Sequence, residues 1–163
     1  MRRLLFILPL VTLAIMAGFF AWSLSSGRDP ASIGSALVGR PAPDRSLLVE
    51  GKPTLLNFFA SWCAPCLVEH PLFLRLKERE GAVIVGVAWK NKREEAEAWL
   101  QRLGNPYARV EYDLDGRRAL DWGLSGVPET YLVDADGIVR LHFRRAIGEQ
   151  DLSTILPLLK GKP

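Results

Sequence analysis

The chain has 163 residues, which is enough for one compact domain with a single hydrophobic core and a short additional segment. Its formal net charge is +3, and Arg2 and Arg3 supply two of these positive charges, so the remainder is nearly neutral. This balance provides no basic surface of the kind that nucleic-acid binding needs, and it argues against a nucleic-acid partner. The sequence contains two cysteines, Cys63 and Cys66.

The N-terminal segment is apolar. No charged residue occurs from Leu4 to Trp22, a run of nineteen residues. About 20 apolar residues are enough to cross a bilayer as a helix. Arginines before the run and a long polar domain after it favour a cytoplasmic N-terminus. We therefore predict a signal-anchor transmembrane helix over residues 1–24, with a cleaved signal peptide as the alternative because small residues follow the run.

This topology places the rest of the chain outside the cytoplasm, in an oxidising compartment where disulfides form and persist. Residues 25–44 are rich in Ser, Gly, Ala and Pro, which predicts a linker. The remaining residues, 45–163, are expected to form one domain.

Apolar runs predict the strands of this domain. One run, Ile138–Phe143, alternates apolar and polar residues and predicts a strand with a wet face formed by Arg140 and His142. The residues from Asp134 to Gly137 precede it and predict a hairpin turn. Three continuous apolar runs predict buried central strands: Thr54–Ala60, Ala82–Ala88 and Thr130–Val133.

Two segments have the period of amphipathic helices, Lys92–Leu103 and Glu149–Leu159. Gly104 follows the first of them and is expected to cap its C-terminus. A further helix is expected around and after Cys66. The order strand, helix, strand, helix, hairpin, helix predicts an α/β fold with a central mixed β-sheet flanked by helices.

The motif Cys63-Ala64-Pro65-Cys66 lies between a predicted strand and a predicted helix. At a helix N-terminus, free N–H groups and the macrodipole stabilise a thiolate. The pKa of the first thiol is lowered there, which favours a dithiol–disulfide couple with Cys63 as nucleophile and Cys66 as resolving thiol. Pro65 presets the helical backbone and is expected to tune the redox potential. A purely structural disulfide is the alternative.

A metal site is not expected. Zinc needs four ligands, and only His70 and His142 are available to join the two cysteines. Neither histidine receives a role from its pattern, and the segment from Asp113 to Gly116 is better interpreted as a turn than as a metal loop. We predict no cofactor, so the reactive group is the redox-active disulfide of the cysteine pair.

The segment from Leu55 to Cys66 resembles the active-site region of thioredoxin-fold proteins. Pro71 matches the proline inside their active-site helix. The segment Gly126–Thr130 resembles the one that carries their cis-proline. The resemblance covers most of the predicted domain and implies a thioredoxin-like fold in which Pro128 is cis and packs opposite the cysteine pair.

A narrower resemblance is carried by four segments: Cys66–Pro71, Gly104–Tyr107, Asp113–Gly116 and Gly123–Asp134. This resemblance is to the DsbE/CcmG family of membrane-anchored periplasmic thiol:disulfide interchange proteins, which act in cytochrome c maturation. It implies a bacterial inner-membrane protein with a single span and a periplasmic C-terminal domain. Its substrate would be the disulfide of apocytochrome c or of a cytochrome maturation thiol protein, and a membrane electron donor of the DsbD or CcdA type would reduce it again.

The resemblance also implies roles beside the cysteines. Glu69 matches an acidic residue of the family, and a partly buried carboxylate there would accept the Cys66 proton. The alternative is a solvated helix glutamate. Asn57 stands where thioredoxin has a buried aspartate, and its amide cannot titrate, so we expect it to tune the redox chemistry.

Substrate binding is predicted at Trp62, Val127 and Glu129. A cis Pro128 would present the backbone of Val127 to an extended substrate chain, as in strand addition. Trp62 would present a ring face to the substrate, or simply pack at the end of the strand. Glu129 would bias the choice of partner, or simply be exposed.

Two other functions fit the residues. The first is a general oxidase or isomerase of exported disulfides, which would have a high reduction potential. The second is a non-catalytic, membrane-tethered binding module whose disulfide is only structural. The leading prediction is a thiol-disulfide oxidoreductase that acts as a protein-disulfide reductase.

Overall fold

The computed structural model describes residues 11–13, 15–19 and 35–161. Residues 11–13 and 15–19 are helical. The predicted transmembrane helix over 1–24 lies largely outside the described residues, and so does the first part of the predicted linker. Among the residues that are described, no helix combines the length and the apolar character that a membrane crossing requires.

A five-stranded mixed sheet forms the centre of the unit that begins at Gly34. The strand order is β3-β2-β1-β4-β5, with β1, β2 and β3 parallel and with β4 antiparallel to both β1 and β5. The strands are β1 (Thr54–Phe59), β2 (Val83–Trp89), β3 (Arg109–Asp113), β4 (Glu129–Val133) and β5 (Val139–Phe143). The mixed sheet and the hairpin between β4 and β5 confirm the prediction.

Over residues 35–161, four helices accompany the sheet: α1 (Ala64–Glu80), α2 (Arg93–Leu103), α3 (Arg117–Asp121) and α4 (Leu152–Leu159). Helix α1 contains Pro71 in its interior. Gly104 follows α2 as its C-cap with a positive φ of 92°, as predicted. The last predicted helix starts later than expected, because Glu149–Asp151 forms a short 3₁₀ turn before α4.

Both faces of the sheet are covered. Leu55 and Phe59 of β1 point into a core formed with α1, α2 and α4, whereas Leu56 and Phe58 point into a second core formed with α3. All six residues of β1 are buried, because successive side chains of a strand point to opposite faces and both are covered. This is why the central strands are continuous apolar runs.

The C-terminal part of the predicted linker pairs with the sheet. The Gly39 N–H donates to the Val139 carbonyl at 2.8 Å, and the Val139 N–H donates to the Arg40 carbonyl at 2.9 Å. The Ala42 N–H donates to the Gly137 carbonyl at 2.9 Å. The domain therefore includes residues that composition alone assigned to a linker.

Strand β5 contains a bulge. Leu132 pairs with Leu141, but Val133 pairs with Val139, so Arg140 is an extra residue. A bulge redirects the side chains that follow it. His142 consequently lies on the face that carries Val139, and its side chain is 1% exposed. The predicted wet face at His142 is therefore wrong, although Arg140 is exposed.

Candidate active site

The two cysteines form a disulfide at the junction of β1 and α1, with their Cα atoms 5.3 Å apart. Cys63 is the N-cap of α1, and the Cys66 N–H donates to its Sγ at 3.2 Å. Pro65 lies in the first turn, where the missing N–H costs no helical hydrogen bond. The predicted placement of the first sulfur at a helix N-terminus is confirmed.

The two cysteines differ less in solvent exposure than predicted. Cys63 is 5% exposed and Cys66 is 2% exposed in the disulfide form. The difference between them therefore depends mainly on the helix terminus. In the reduced protein, the same N–H and the dipole of α1 would stabilise a Cys63 thiolate.

The loop before Cys63 is held by residues that follow β2. Asn91 is buried, and its Oδ1 accepts a hydrogen bond from the Ser61 N–H at 2.7 Å. Trp62 is 57% exposed, and its Nε1 donates to the Lys90 carbonyl at 3.2 Å. Trp62 therefore keeps an exposed ring face next to the cysteine pair while one edge of its ring is fixed.

Glu69 lies one helical turn after Cys66 and is 1% exposed. Residues three apart on a helix share a face, so its carboxylate lies on the side of α1 that carries Cys66. Its Oε1 accepts from Asn57 Nδ2 at 3.0 Å, and its Oε2 accepts from the Ile147 N–H at 2.9 Å. The alternative of a solvated helix glutamate is wrong.

Burial raises the pKa of Glu69 from 4.5 to about 7, although the hydrogen bonds from Ile147 and Asn57 lower it in part. A carboxyl group with a pKa close to the ambient pH is suited to exchange protons during a reaction. A carboxyl group of this kind, one helical turn after Cys66, is available for proton exchange near neutral pH.

Asn57 connects three elements of the fold. Its Nδ2 also donates to Thr130 Oγ1 at 3.0 Å, and its Oδ1 accepts from the Tyr107 hydroxyl at 2.8 Å. The Tyr107 ring lies over Gly86 of β2, where a Cβ atom would come within 2.8 Å of the ring. Gly86 thus leaves the space through which Tyr107 reaches Asn57. Burial, with a smaller contribution from the charge of Glu69, raises the pKa of Tyr107, so its hydroxyl stays protonated as the donor.

The Val127–Pro128 peptide bond is cis, as the resemblance implied. Pro128 is buried and precedes β4, and Val127 is half-buried and packs against the core that contains both cysteines. Val127 thus packs against the same core as the cysteine pair, although it lies more than 60 positions away in the sequence.

Glu129 is placed differently from the prediction. Its side chain is 1% exposed and lies on the opposite face of β4 from Thr130, beside Tyr131 and His142. A side chain this buried does not contact a bound chain, so the predictions of a substrate contact and of an exposed carboxylate are both corrected. Burial alone would raise the pKa of Glu129, but hydrogen bonds from His142 and Ser125 outweigh it and hold the pKa below its ordinary value.

Each histidine ring contacts an oxygen atom of the protein. His70 Nε2 lies 2.9 Å from the Gly104 carbonyl, and His142 Nε2 lies 2.6 Å from Glu129 Oε2. Across the described ranges, no group of three or more His, Cys, Asp or Glu side chains is arranged to hold a metal ion.

Sequence reasoning assigned no role to three residues of the site, Asn91, Tyr107 and His142. Asn91 lies between two lysines, so its local pattern gives no sign of burial. Tyr107 ends the segment Gly104–Tyr107 that carries the family resemblance, and this was the signal that could have identified it. His142 has a misleading signal, because its polar position in an alternating strand indicates exposure, and only the bulge reverses it.

Comparisons with known proteins agree with this geometry. The Redoxin family model matches residues 44–156. The thiol:disulfide interchange protein DsbE of Escherichia coli K12 is 38% identical over 157 residues, which cover 86% of this chain and 84% of that protein. The thiol:disulfide interchange protein HelX of Rhodobacter capsulatus is 38% identical over an alignment of 177 residues, gaps included. The alignment covers 99% of this chain and 98% of that protein.

Solved structures support the fold. A secreted Mycobacterium tuberculosis disulfide oxidoreductase homologous to E. coli DsbE superposes with a TM-score of 0.59 at 23% identity, covering 68% of this chain and 83% of that one. The fold is therefore thioredoxin-like. With a disulfide at a helix N-terminus and relatives that match along nearly their whole length, the chain belongs to the redoxin family and, within it, to the thiol:disulfide interchange proteins of the DsbE and HelX type, which are oxidoreductases.

Proposed function

We propose that this chain is a membrane-anchored periplasmic disulfide reductase of cytochrome c maturation. The observation that carries the proposal is the buried Glu69 carboxylate one helical turn after Cys66. A carboxylate near a dithiol opposes the formation of thiolates. It therefore favours the disulfide form of the protein, as a donor of electrons requires.

The reaction has two steps. In the reduced protein, the Cys63 thiolate attacks one sulfur of the substrate disulfide, which forms a mixed disulfide and releases one substrate thiolate. Cys66 then loses its proton and attacks the Cys63 sulfur, which releases the second substrate thiolate. Two electrons pass to the substrate, and the protein is left with the Cys63–Cys66 disulfide seen in the structure.

Glu69 would take the proton that Cys66 must lose in the second step. With a pKa of about 7, a large fraction of the Glu69 carboxyl groups is unprotonated at neutral pH. The carboxylate is at the same time basic enough to accept a proton. Asn57 fixes the orientation of the carboxylate by donating to Oε1. No cofactor is needed in this scheme, because the cysteine pair itself carries the electrons.

The substrate would dock as an extended chain beside Val127, with the exposed ring of Trp62 next to it. The proposed partners are apocytochrome c or a cytochrome maturation thiol protein. The dithiol would be regenerated by a membrane electron donor of the DsbD or CcdA type, whose own dithiol is oxidised in exchange.

A synthetic peptide with an oxidised C-x-x-C-H motif tests the substrate, since this motif is the haem attachment site of c-type cytochromes. The prereduced full-length protein is expected to reduce this peptide faster than an oxidised peptide of the same composition in scrambled order. Its reduction potential is expected well below the roughly −120 mV of a strong periplasmic oxidant. Equal rates would indicate a general exchange protein, and a potential near that of the oxidant would indicate an oxidase.

The anchor is proposed on the uncharged run from Leu4 to Trp22. We expect the full-length chain to remain in the membrane pellet after a carbonate wash of the source membranes, because a spanning helix resists extraction. Immunoblotting and N-terminal sequencing check this result. A soluble form whose sequence starts near residues 24–27 would show that the segment is cleaved and that the anchor proposal is wrong.

A further inference from the structure

The bulge at Arg140 turns the His142 side chain toward Tyr131 and Glu129. His142 is the cross-strand partner of Tyr131, and the two rings stack with their centroids 3.9 Å apart. Its Nδ1 is buried and has no hydrogen-bond partner in the described part of the chain. Nε2 is therefore the ring atom that makes the polar contact, and it lies 2.6 Å from Glu129 Oε2.

Glu129 in turn binds the loop that leads to the cis peptide bond. Its Oε1 accepts from the Ser125 N–H at 2.8 Å, from the Gly126 N–H at 3.2 Å and from the Ser125 hydroxyl. Its Oε2 accepts from His142 and, at 3.3 Å, from the Tyr131 hydroxyl. One oxygen therefore holds the loop, and the other is held by the sheet.

The two oxygens belong to one rigid carboxylate, so the atom that holds Oε2 also fixes where Oε1 points. Tyr131 is a weaker candidate for this task, because its hydroxyl donates at 2.7 Å to the Trp122 carbonyl. A buried carboxylate that loses one of its charge-assisted partners is strongly destabilised, and it relieves this by moving or by taking up a proton. Either change would release Ser125 and Gly126.

We propose that His142 is a positioning residue for substrate binding: through Glu129 it holds the Ser125–Gly126 segment, and so fixes the backbone of Val127 against which an extended substrate chain pairs. The inference rests on the proposed docking beside Val127. It assigns to His142 no contact with the substrate and no part in the chemistry of the cysteines.

Two variants separate the Nε2 contact from the rest of the side chain. In His142→Gln, the amide nitrogen can occupy the place of Nε2 and donate to Glu129. In His142→Asn, the side chain is one carbon shorter and does not reach. Both replacements are neutral and polar. Glu94→Gln, which removes an exposed carboxylate from α2, controls for a general effect of substitution.

Each full-length protein is prereduced and mixed with two oxidants. A small aromatic disulfide reports the reactivity of Cys63 without docking, and an oxidised C-x-x-C-H peptide reports docking through its half-saturating concentration. His142→Asn is expected to raise that concentration about tenfold, the scale of one lost hydrogen bond to a charged group, while the rate with the small disulfide changes less than about twofold. His142→Gln and Glu94→Gln are expected to stay close to the unsubstituted protein.

Several results would overturn the inference. One is an equal loss with both oxidants, and another is an equal rise in half-saturating concentration for the Gln and Asn variants. A His142→Asn protein that does not fold, beside a fully active His142→Gln, would assign the residue to stability instead. A failure of the proposed substrate is seen separately, as a lack of preference by the unsubstituted protein for C-x-x-C-H over its scrambled counterpart.

Discussion

Replacing Cys66 with serine is expected to trap a stable mixed disulfide between Cys63 and the substrate, whereas Cys63→Ser is expected to trap little. Cys63 lies at the N-terminus of α1 and accepts the Cys66 N–H, so its thiolate is favoured and attacks first. Without a thiol at residue 66, nothing in the chain can resolve the intermediate, because the sequence contains no third cysteine.

The trapping is measured by non-reducing electrophoresis of alkylated membranes, followed by mass spectrometry of the linked partner. A Cys63→Ser, Cys66→Ser double variant is the control for non-specific linkage. We expect the partner to be an apocytochrome c or a maturation thiol protein. Equal trapping by both single variants would contradict the account of the helix terminus. Efficient trapping of many unrelated exported proteins would keep the mechanism and reject the cytochrome role.

Replacing Glu69 with glutamine is expected to change both the pH dependence of stability and the rate of the second step. Folding raises the pKa of Glu69 from 4.5 to about 7, so the folded protein binds this proton more tightly than the unfolded chain. The group therefore supports folding at low pH, and its contribution is lost as the pH rises from about 4.5 to about 7. Over that range, the loss attributable to Glu69 is about 3 kcal/mol.

Denaturant unfolding of the disulfide form at a series of pH values checks this expectation. The free energy of unfolding of Glu69→Gln is expected to lack that decline. A loss that does not depend on pH is expected in addition, because the amide nitrogen faces one of the two donors, Asn57 Nδ2 or the Ile147 N–H. Glu94→Gln removes an exposed carboxylate from α2 and is the matched control. A Glu69→Gln protein with the unsubstituted pH dependence would show that the carboxyl group does not titrate in this range.

The same substitution removes the proposed proton acceptor of Cys66. A general base contributes about 10²–10⁴-fold to a proton transfer step, so the resolution of the mixed disulfide is expected to slow about 10²-fold at neutral pH. The attack by Cys63 on a small disulfide should be much less affected, because that step needs no proton from Cys66. Rapid-mixing kinetics with prereduced protein separate the two steps. An unchanged rate of resolution of the mixed disulfide would show that Glu69 has only a structural role.

The sheet and the cysteine junction could be predicted because local patterns determine them. The runs that became β1 and β2 are apolar on both faces, and the motif at Cys63 lies directly after such a run. Strand β3 was missed because it is an edge strand with charged residues and only partial burial, so it contains no apolar run. Helix α3 was missed because five residues are too short for a helical period to emerge.

The polar part of the site could not be predicted in full, because its contacts join distant parts of the chain. Asn57 and Thr130 are 73 positions apart, and only the pairing of β1 with β4 brings them together. The burial of His142 depends on a bulge that leaves no mark in the alternation of residues.

The interpretation as a non-catalytic binding module is wrong, since the chain belongs to a family of oxidoreductases.

The pairing of residues 39–42 with β5 has a consequence for solubility. A protein that works on extended chains risks capturing them along an open sheet edge, which leads to aggregation. Here the β5 edge is occupied by the entering segment and interrupted by the bulge at Arg140, and the β3 edge carries the ion pair of Arg109 and Glu111. With both edges made poor templates, the docking that we propose at Val127 would face little competition from the rest of the sheet.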